Sequence, residues 1–294
     1  MRGPAAPPDP AAPLTPSGNL RRRQAVSKFA EYTATAAAVL AVGVLAIVIY
    51  TVIQRGGSAL SFDFIVKGAP DGIGPMLVGT GVIVAVAALI AAPVGILIAL
   101  YLTEYAGRRF AGAIQMTLDV MNGLPSIIIA LFVWGLLVVG NQQSGFAGSV
   151  GLAIIMVPLI ARGTQEILLL VPKAQREAAD ALGVARWRTV LTVVLPSAVG
   201  GIATASVLAV ARAAGETAPL LLASSNFDPA AYSINPFEPL PNVPIRIFQL
   251  SEDPNPEAVA EAWGLSLVLV ALILVASLSA RALLARSKRR MGGA

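Results

Sequence analysis

The chain has 294 residues, and 56% of them are apolar before its 27 glycines are counted, against about 45 to 50% with glycine included in an average soluble domain. Only 13% are charged and the mean hydropathy is +0.76, so much of the surface calls for lipid rather than water. With no cysteine and no histidine, disulfide frameworks, zinc clusters, haem axial histidines, Ser-His-Asp triads and thiol nucleophiles are all excluded; no metal or cofactor is expected.

The first twenty residues hold six prolines and no apolar period, the composition of a chain that cannot bury enough to order itself. A basic cluster, Arg21, Arg22, Arg23 and Lys28, precedes a charge-free apolar stretch from Thr33 to Ile53. That stretch is too long for a cleaved signal, whose apolar region has about 7 to 15 residues, and long enough to cross a hydrocarbon core of about 30 Å. Five more apolar segments follow, 76–102, 113–139, 148–170, 197–224 and 262–284, each long enough to span a bilayer. The expected fold is therefore an all-α polytopic membrane protein of six transmembrane helices, with a flexible Pro/Ala-rich and basic tail over 1–30, a membrane domain over 31–284 and a basic tail over 285–294. Sixteen basic residues fall at the N-terminal end, in the loops after the second and fourth spans and at the C-terminal end; the opposite loops hold only Arg55, Lys67 and Arg246, with eight acidic residues between Asp63 and Glu261. Basic residues in short loops are retained in the cytoplasm, so both termini are expected there.

Two basic residues fall well inside spans, Arg162 and Arg212, each with a glutamate four positions later, Glu166 and Glu216. An arginine at a helix centre disfavours insertion by about 2.5 to 3.5 kcal/mol, so it is kept for an ion pair, a watery cavity or a permeant species. The i, i+4 spacing fits a structural ion pair as well as a substrate contact. In the third span, Gly123-Leu124-Pro125-Ser126 interrupts the helix, either as a packing kink or as a break lining a pathway.

Between the fourth and fifth spans, residues 172–196 carry six charges, too many and too long for a turn. A short helix is expected after Pro172, with Ala174, Ala178, Ala181 and Leu182 near one face and Gly183 ending it, then a second near Ala185 that carries Trp187 and leads to Pro196. Such a helix pair on the cytoplasmic face either lies on lipid or docks on a partner, and its mixed charges favour a partner.

Glu177-Ala178-Ala179, then Gly183 after three residues, Val193 after nine more, and Leu195-Pro196 resemble the EAA loop of type I ABC importer permeases, with valine in place of the usual isoleucine. Tyr101-Leu102-Thr103-Glu104-Tyr105-Ala106, Gly123-Leu124-Pro125-Ser126, Arg176-Glu177-Ala178 and the run from Ala211 to Leu220 resemble more narrowly the PstA family of phosphate importer permeases. The resemblance implies a MetI-like importer core over about 74–284, with the EAA loop at 172–196 fitting into a separate ATPase. It implies a PstC-like permease as heterodimer partner, a PstB-like ATPase dimer inside and a phosphate-binding protein, PstS, outside, in a bacterial cell membrane. Under it, Glu177, Ala178, Ala179, Gly183, Leu195 and Pro196 couple to the ATPase, and Arg162, Glu166, Arg212 and Glu216 line the path of inorganic phosphate. No Gly-Lys dipeptide occurs, so the chain has no Walker A loop and is expected to be a transport subunit rather than an enzyme. Another oxyanion such as molybdate or sulfate is the main rival substrate, and the paired permease PstC is the other family alternative. A secondary transporter would not need the long charged loop, and an intramembrane enzyme would lack the usual base and metal ligands.

Overall fold

A chain in lipid has to satisfy its backbone internally, and this one does so with helices. The computed structural model describes residues 19–68, 72–225 and 232–291, and no strand occurs among them. The expected N-terminal tail up to residue 18 and the last residues of the C-terminal tail, 292–294, lie outside the described residues. In chain order the helices are α1 (Leu20–Gly56), α2 (Phe62–Val66), α3 (Gly74–Leu100), α4 (Arg108–Gly123), α5 (Ser126–Val133), α6 (Gly145–Leu170), α7 (Lys173–Ala181), α8 (Arg186–Thr189), α9 (Leu195–Ala213), α10 (Ala218–Ala223), α11 (Val243–Ser251) and α12 (Pro256–Met291). Five helical stretches are long and apolar enough to cross a membrane: Arg22–Ala59, Gly74–Tyr105, Gly145–Leu170, Arg186–Ala213 and Pro256–Ser279. A bent pair, Arg109–Gly123 with Ser126–Val138, makes six if counted as one span.

Two compact units divide the chain, one up to Thr51 and one from Val52 onward. The first contains most of α1, whose apolar side chains such as Val39, Leu40 and Leu45 are exposed. The helix begins at Leu20, so residues 20–30, expected as part of a tail, are its first turns. The physical reason is local: residues 20–33 contain neither glycine nor proline and are rich in strong helix formers. At the other end α12 likewise continues through residues 285–291, taking in most of the expected tail.

The second unit is built on α3 and α6. Ile83, Ala87 and Ala91 of α3 meet Leu152, Ala153, Met156 and Ile160 of α6, and Ala209 and Ala213 of α9 complete this core. Small residues allow the close approach, as expected for helices that associate in lipid by packing alone. A Cβ on Gly163 would lie 2.7 Å from the Ala205 Cβ, and one on Gly201 would lie 2.5 Å from Ile167 Cγ2, so at each contact a glycine of one helix makes room for a side chain of the other. These contacts also fix an antiparallel register between the two helices. A second cluster, Ile73, Met76, Val243, Leu250, Ala262 and Leu265, joins the start of α3 to α11 and α12.

The fifth span differs from the expected 197–224. Its helix starts earlier, at Arg186, and stops at Ala213; the chain then turns at Ala214 and Gly215 before the short α10. Pro196 lacks the N–H that an α-helical turn would use, and the preceding turn, Val190–Val194, is a π-turn closed by the Leu195 N–H on the Val190 carbonyl, which carries the helix past the proline.

Candidate functional site

The interrupted third span is a true break. Pro125 has no backbone donor and disfavours the helical conformation in the residue before it. Leu124 is accordingly extended, at φ −68° and ψ 132°, and the helical stretches on either side are bent by 98°. A cavity of about 110 Å³ opens at this break, lined by Asn122, Leu124 and Ser126 on one side and by Arg212 and Glu216 on the other. Arg212 also lines a larger groove of about 390 Å³ between α6 and α9, together with Glu166, Gly163, Gly201 and Thr204.

Arg212 reaches both openings because it sits in the last turn of α9, just before the helix ends. Its Nε stands 3.8 Å from Glu216 Oε1, and the Arg212 side chain is 61% exposed against 21% for Glu216. At that distance and exposure the pair is loose, and the guanidinium keeps donors free toward the cavity.

Arg162 behaves differently. The i, i+4 spacing allowed an ion pair with Glu166 on the same helix, but the Arg162 Nη2 donates to Asp119 Oδ1 and to the Gln115 carbonyl (3.3 Å), both on α4. Glu166 points away, exposed, into the α6–α9 groove. An arginine that precedes its glutamate is in the weaker i, i+4 order, and α4 offers a better-placed carboxylate. Asp119 was legible in principle: it is an acidic residue inside the third span, and the cost argument that marked Arg162 applies equally to it. The α6–α9 register puts Arg212 level with Met156, six residues from Arg162, or about 9 Å at 1.5 Å per residue.

The charged loop lies at the other end of α6 and α9. Helix α7 follows Pro172 and ends before Gly183, whose φ of +69° is the left-handed conformation that glycine adopts without strain. Glu177, Ala178 and Gly183 are exposed, as are Ala174, Ala181 and Leu182, so the expected apolar face of α7 has no partner among the described residues. Ala179 is buried, Leu195 is half-buried and Pro196 is exposed. Turned inward is Arg176, whose Nε and Nη2 both donate to Glu104 Oε1, at 3.1 and 2.9 Å. Glu104 is almost fully buried, and the spacing of charges within the loop gave no sign of this partner.

A family model described as "Binding-protein-dependent transport system inner membrane component" matches residues 91–293. The chain belongs to that family. It is 36% identical over 242 residues to the "Phosphate transport system permease protein PstA" of Haemophilus influenzae, covering 80% of this chain and 85% of the relative. It is 35% identical over 246 residues to the protein of the same name from Xylella fastidiosa strain Temecula1, covering 81% and 85%. To "PstA 1" of Mycobacterium tuberculosis H37Rv it is 37% identical over 216 residues, covering 71% and 68%. Among solved structures, a bacterial alginate ABC transporter chain aligns with a TM-score of 0.62 at 16% identity, over 89% of this chain and 95% of that one. A chain of the MetNI methionine ABC transporter, in inward-facing conformations, aligns with a TM-score of 0.56 at 20% identity, over 74% and 94%. These likenesses establish the fold: a multi-pass, all-helical membrane permease of the ABC importer kind.

Proposed function

We propose that this permease is the membrane subunit of an ATP-driven importer that moves inorganic phosphate into the cell by alternating access. The observation that carries the reading is Arg212, an exposed guanidinium at a helix end, facing a cavity formed by a broken span. A guanidinium stays charged and presents a planar fork of donors that matches phosphate oxygens bidentately. The names of the relatives favour phosphate over molybdate or sulfate.

In this reading Arg212 is the first positive station for an anion. Arg162, neutralised by Asp119, becomes a second only when α4 moves away from α6. Glu216 and Glu166 limit how tightly anions are held, since a pathway has to release what it binds. ATP is hydrolysed by a PstB-like dimer coupled through the loop that carries Glu177, Ala178, Ala179, Gly183, Leu195 and Pro196; the exposed Glu177 and Ala178 of α7 and its stop at Gly183 support docking there, with Ala179 packed beneath them. A PstC-like permease completes the pathway, and a PstS-like binding protein delivers substrate at the opposite face. The excess of basic residues at the chain ends and around the α7 loop supports cytoplasmic termini in a bacterial cell membrane.

The test is co-expression with such partners, reconstitution in proteoliposomes and ATP-dependent uptake of labelled phosphate in competition with sulfate and molybdate. Uptake that prefers phosphate is expected; a preference for either competitor would reassign the substrate, and uptake without ATP would reject the class.

A further inference from the structure

We infer that Glu104 and Arg176 form a latch that passes movement of α7 into the α3–α6 core. The inference rests on the reading that α7 docks on an ATPase. Arg176 places two donors on Glu104 Oε1, at 3.1 and 2.9 Å, and two more contacts on the end of α6: Nη1 on the Val171 carbonyl at 2.8 Å and Nη2 on the Leu168 carbonyl at 3.0 Å. Glu104 lies in a π-turn, Tyr101–Tyr105, that continues α3, and its side chain is 3% exposed. One side chain of α7 thus joins three elements: it donates to the Val171 carbonyl at the helix end and adds a second donor to the Leu168 carbonyl, which also accepts the Val171 N–H at 3.3 Å.

The joints on either side of α7 explain why a latch is needed. Val171 and Pro172 are extended, at ψ 124° and 134°, and Gly183 has positive φ, so the nine-residue helix is bounded by a non-helical joint at each end. A push on α7 without the fork is absorbed by rotation at these joints. With it, the push reaches α3 and α6, which pack along their length and of which α6 carries Arg162 and Glu166. A second tie runs to the same π-turn, where the Arg186 guanidinium lies 5.8 Å from the Tyr105 ring centroid. Removing one partner of a buried pair strands the other, so single variants also risk misfolding. The double variant avoids that risk.

Glu104 and Arg176 are therefore positioning residues, and the readout is anion transported per ATP hydrolysed in the reconstituted complete transporter, using labelled phosphate. Glu104→Gln with Arg176→Gln is expected to assemble and hydrolyse ATP while the ratio falls about tenfold, the order of a typical coupling between two sites. Arg176→Lys should give an intermediate ratio, because it keeps charge and loses the fork. If transport and hydrolysis fall together with the amount of assembled complex and the ratio is unchanged, the pair is structural and the latch is wrong. A wild-type complex in which the ATPase does not engage α7 would overturn the functional reading and the latch together, whereas normal wild-type coupling with an unchanged ratio in the double variant overturns the latch alone.

Discussion

Replacing Arg212 with glutamine separates a substrate contact from a structural ion pair. The Arg212–Glu216 pair is long at 3.8 Å, with the arginine 61% exposed, and pairs of this kind contribute about 0.2 to 1 kcal/mol. Assembly and thermal stability of the complex should therefore change little. The transport loss should be much larger. Hydrogen bonds to charged groups are worth about 1.5 to 3 kcal/mol each, so forfeiting a bidentate contact of two removes about 3 kcal/mol or more, roughly a hundredfold in rate at 1.36 kcal/mol per decade. Arg212→Lys should recover part of the activity, since it keeps the charge without the planar fork. The assay is initial phosphate uptake in proteoliposomes, normalised to assembled complex, for Arg212→Gln, Arg212→Lys and the double variant Arg212→Gln with Glu216→Gln. The double variant removes both charges; if only the ion pair mattered, it would transport normally. Near-normal uptake by the double variant would falsify the substrate-contact role.

Other consequences are open to direct measurement. Gly183→Val should lose ATPase recruitment while the protein still inserts, because a β-branched residue is strained at φ +69°, by roughly 1 to 2 kcal/mol; Gly183→Asn, which tolerates that conformation, should retain it, and equal recruitment by both would reject a conformational role. A Cβ on Gly79 would overlap the Pro241 backbone carbonyl, whereas Gly81 has no atom within 4 Å of its own; Gly79→Ala should cost about 1 to 3 kcal/mol and lower the melting temperature in detergent, and Gly81→Ala should not. Reporter fusions after Met291 should read as cytoplasmic and those after Ser58 as external, and the reverse pattern would invert the topology. Asp119→Asn should release Arg162 from its α4 partner, visible as a rise in anion affinity together with slower release; unchanged affinity and release would show that Arg162 plays no part in the pathway.

Composition and apolar run length, read from the sequence by itself, determined that the chain is helical and spans a membrane, where four of its long helices lie, and that a proline interrupts the third span. They also placed a short helix after Pro172 and a stop at Gly183. These features are local: run length, missing proline donors and glycine dihedrals act within a few residues of where they are read. Tertiary structure decided the partners of the buried charges. Arg162 pairs with Asp119, 43 residues away, rather than with Glu166, and Arg176 pairs with Glu104, 72 residues away. It also moved Arg212 from the interior of an expected span to the end of α9, beside Asn122 and Ser126 of the broken span. The reason is physical. Helical periodicity says which side chains share a face, but a charge in a membrane protein is satisfied by whichever helix packs against that face, and that choice belongs to the packing of α4, α6 and α9.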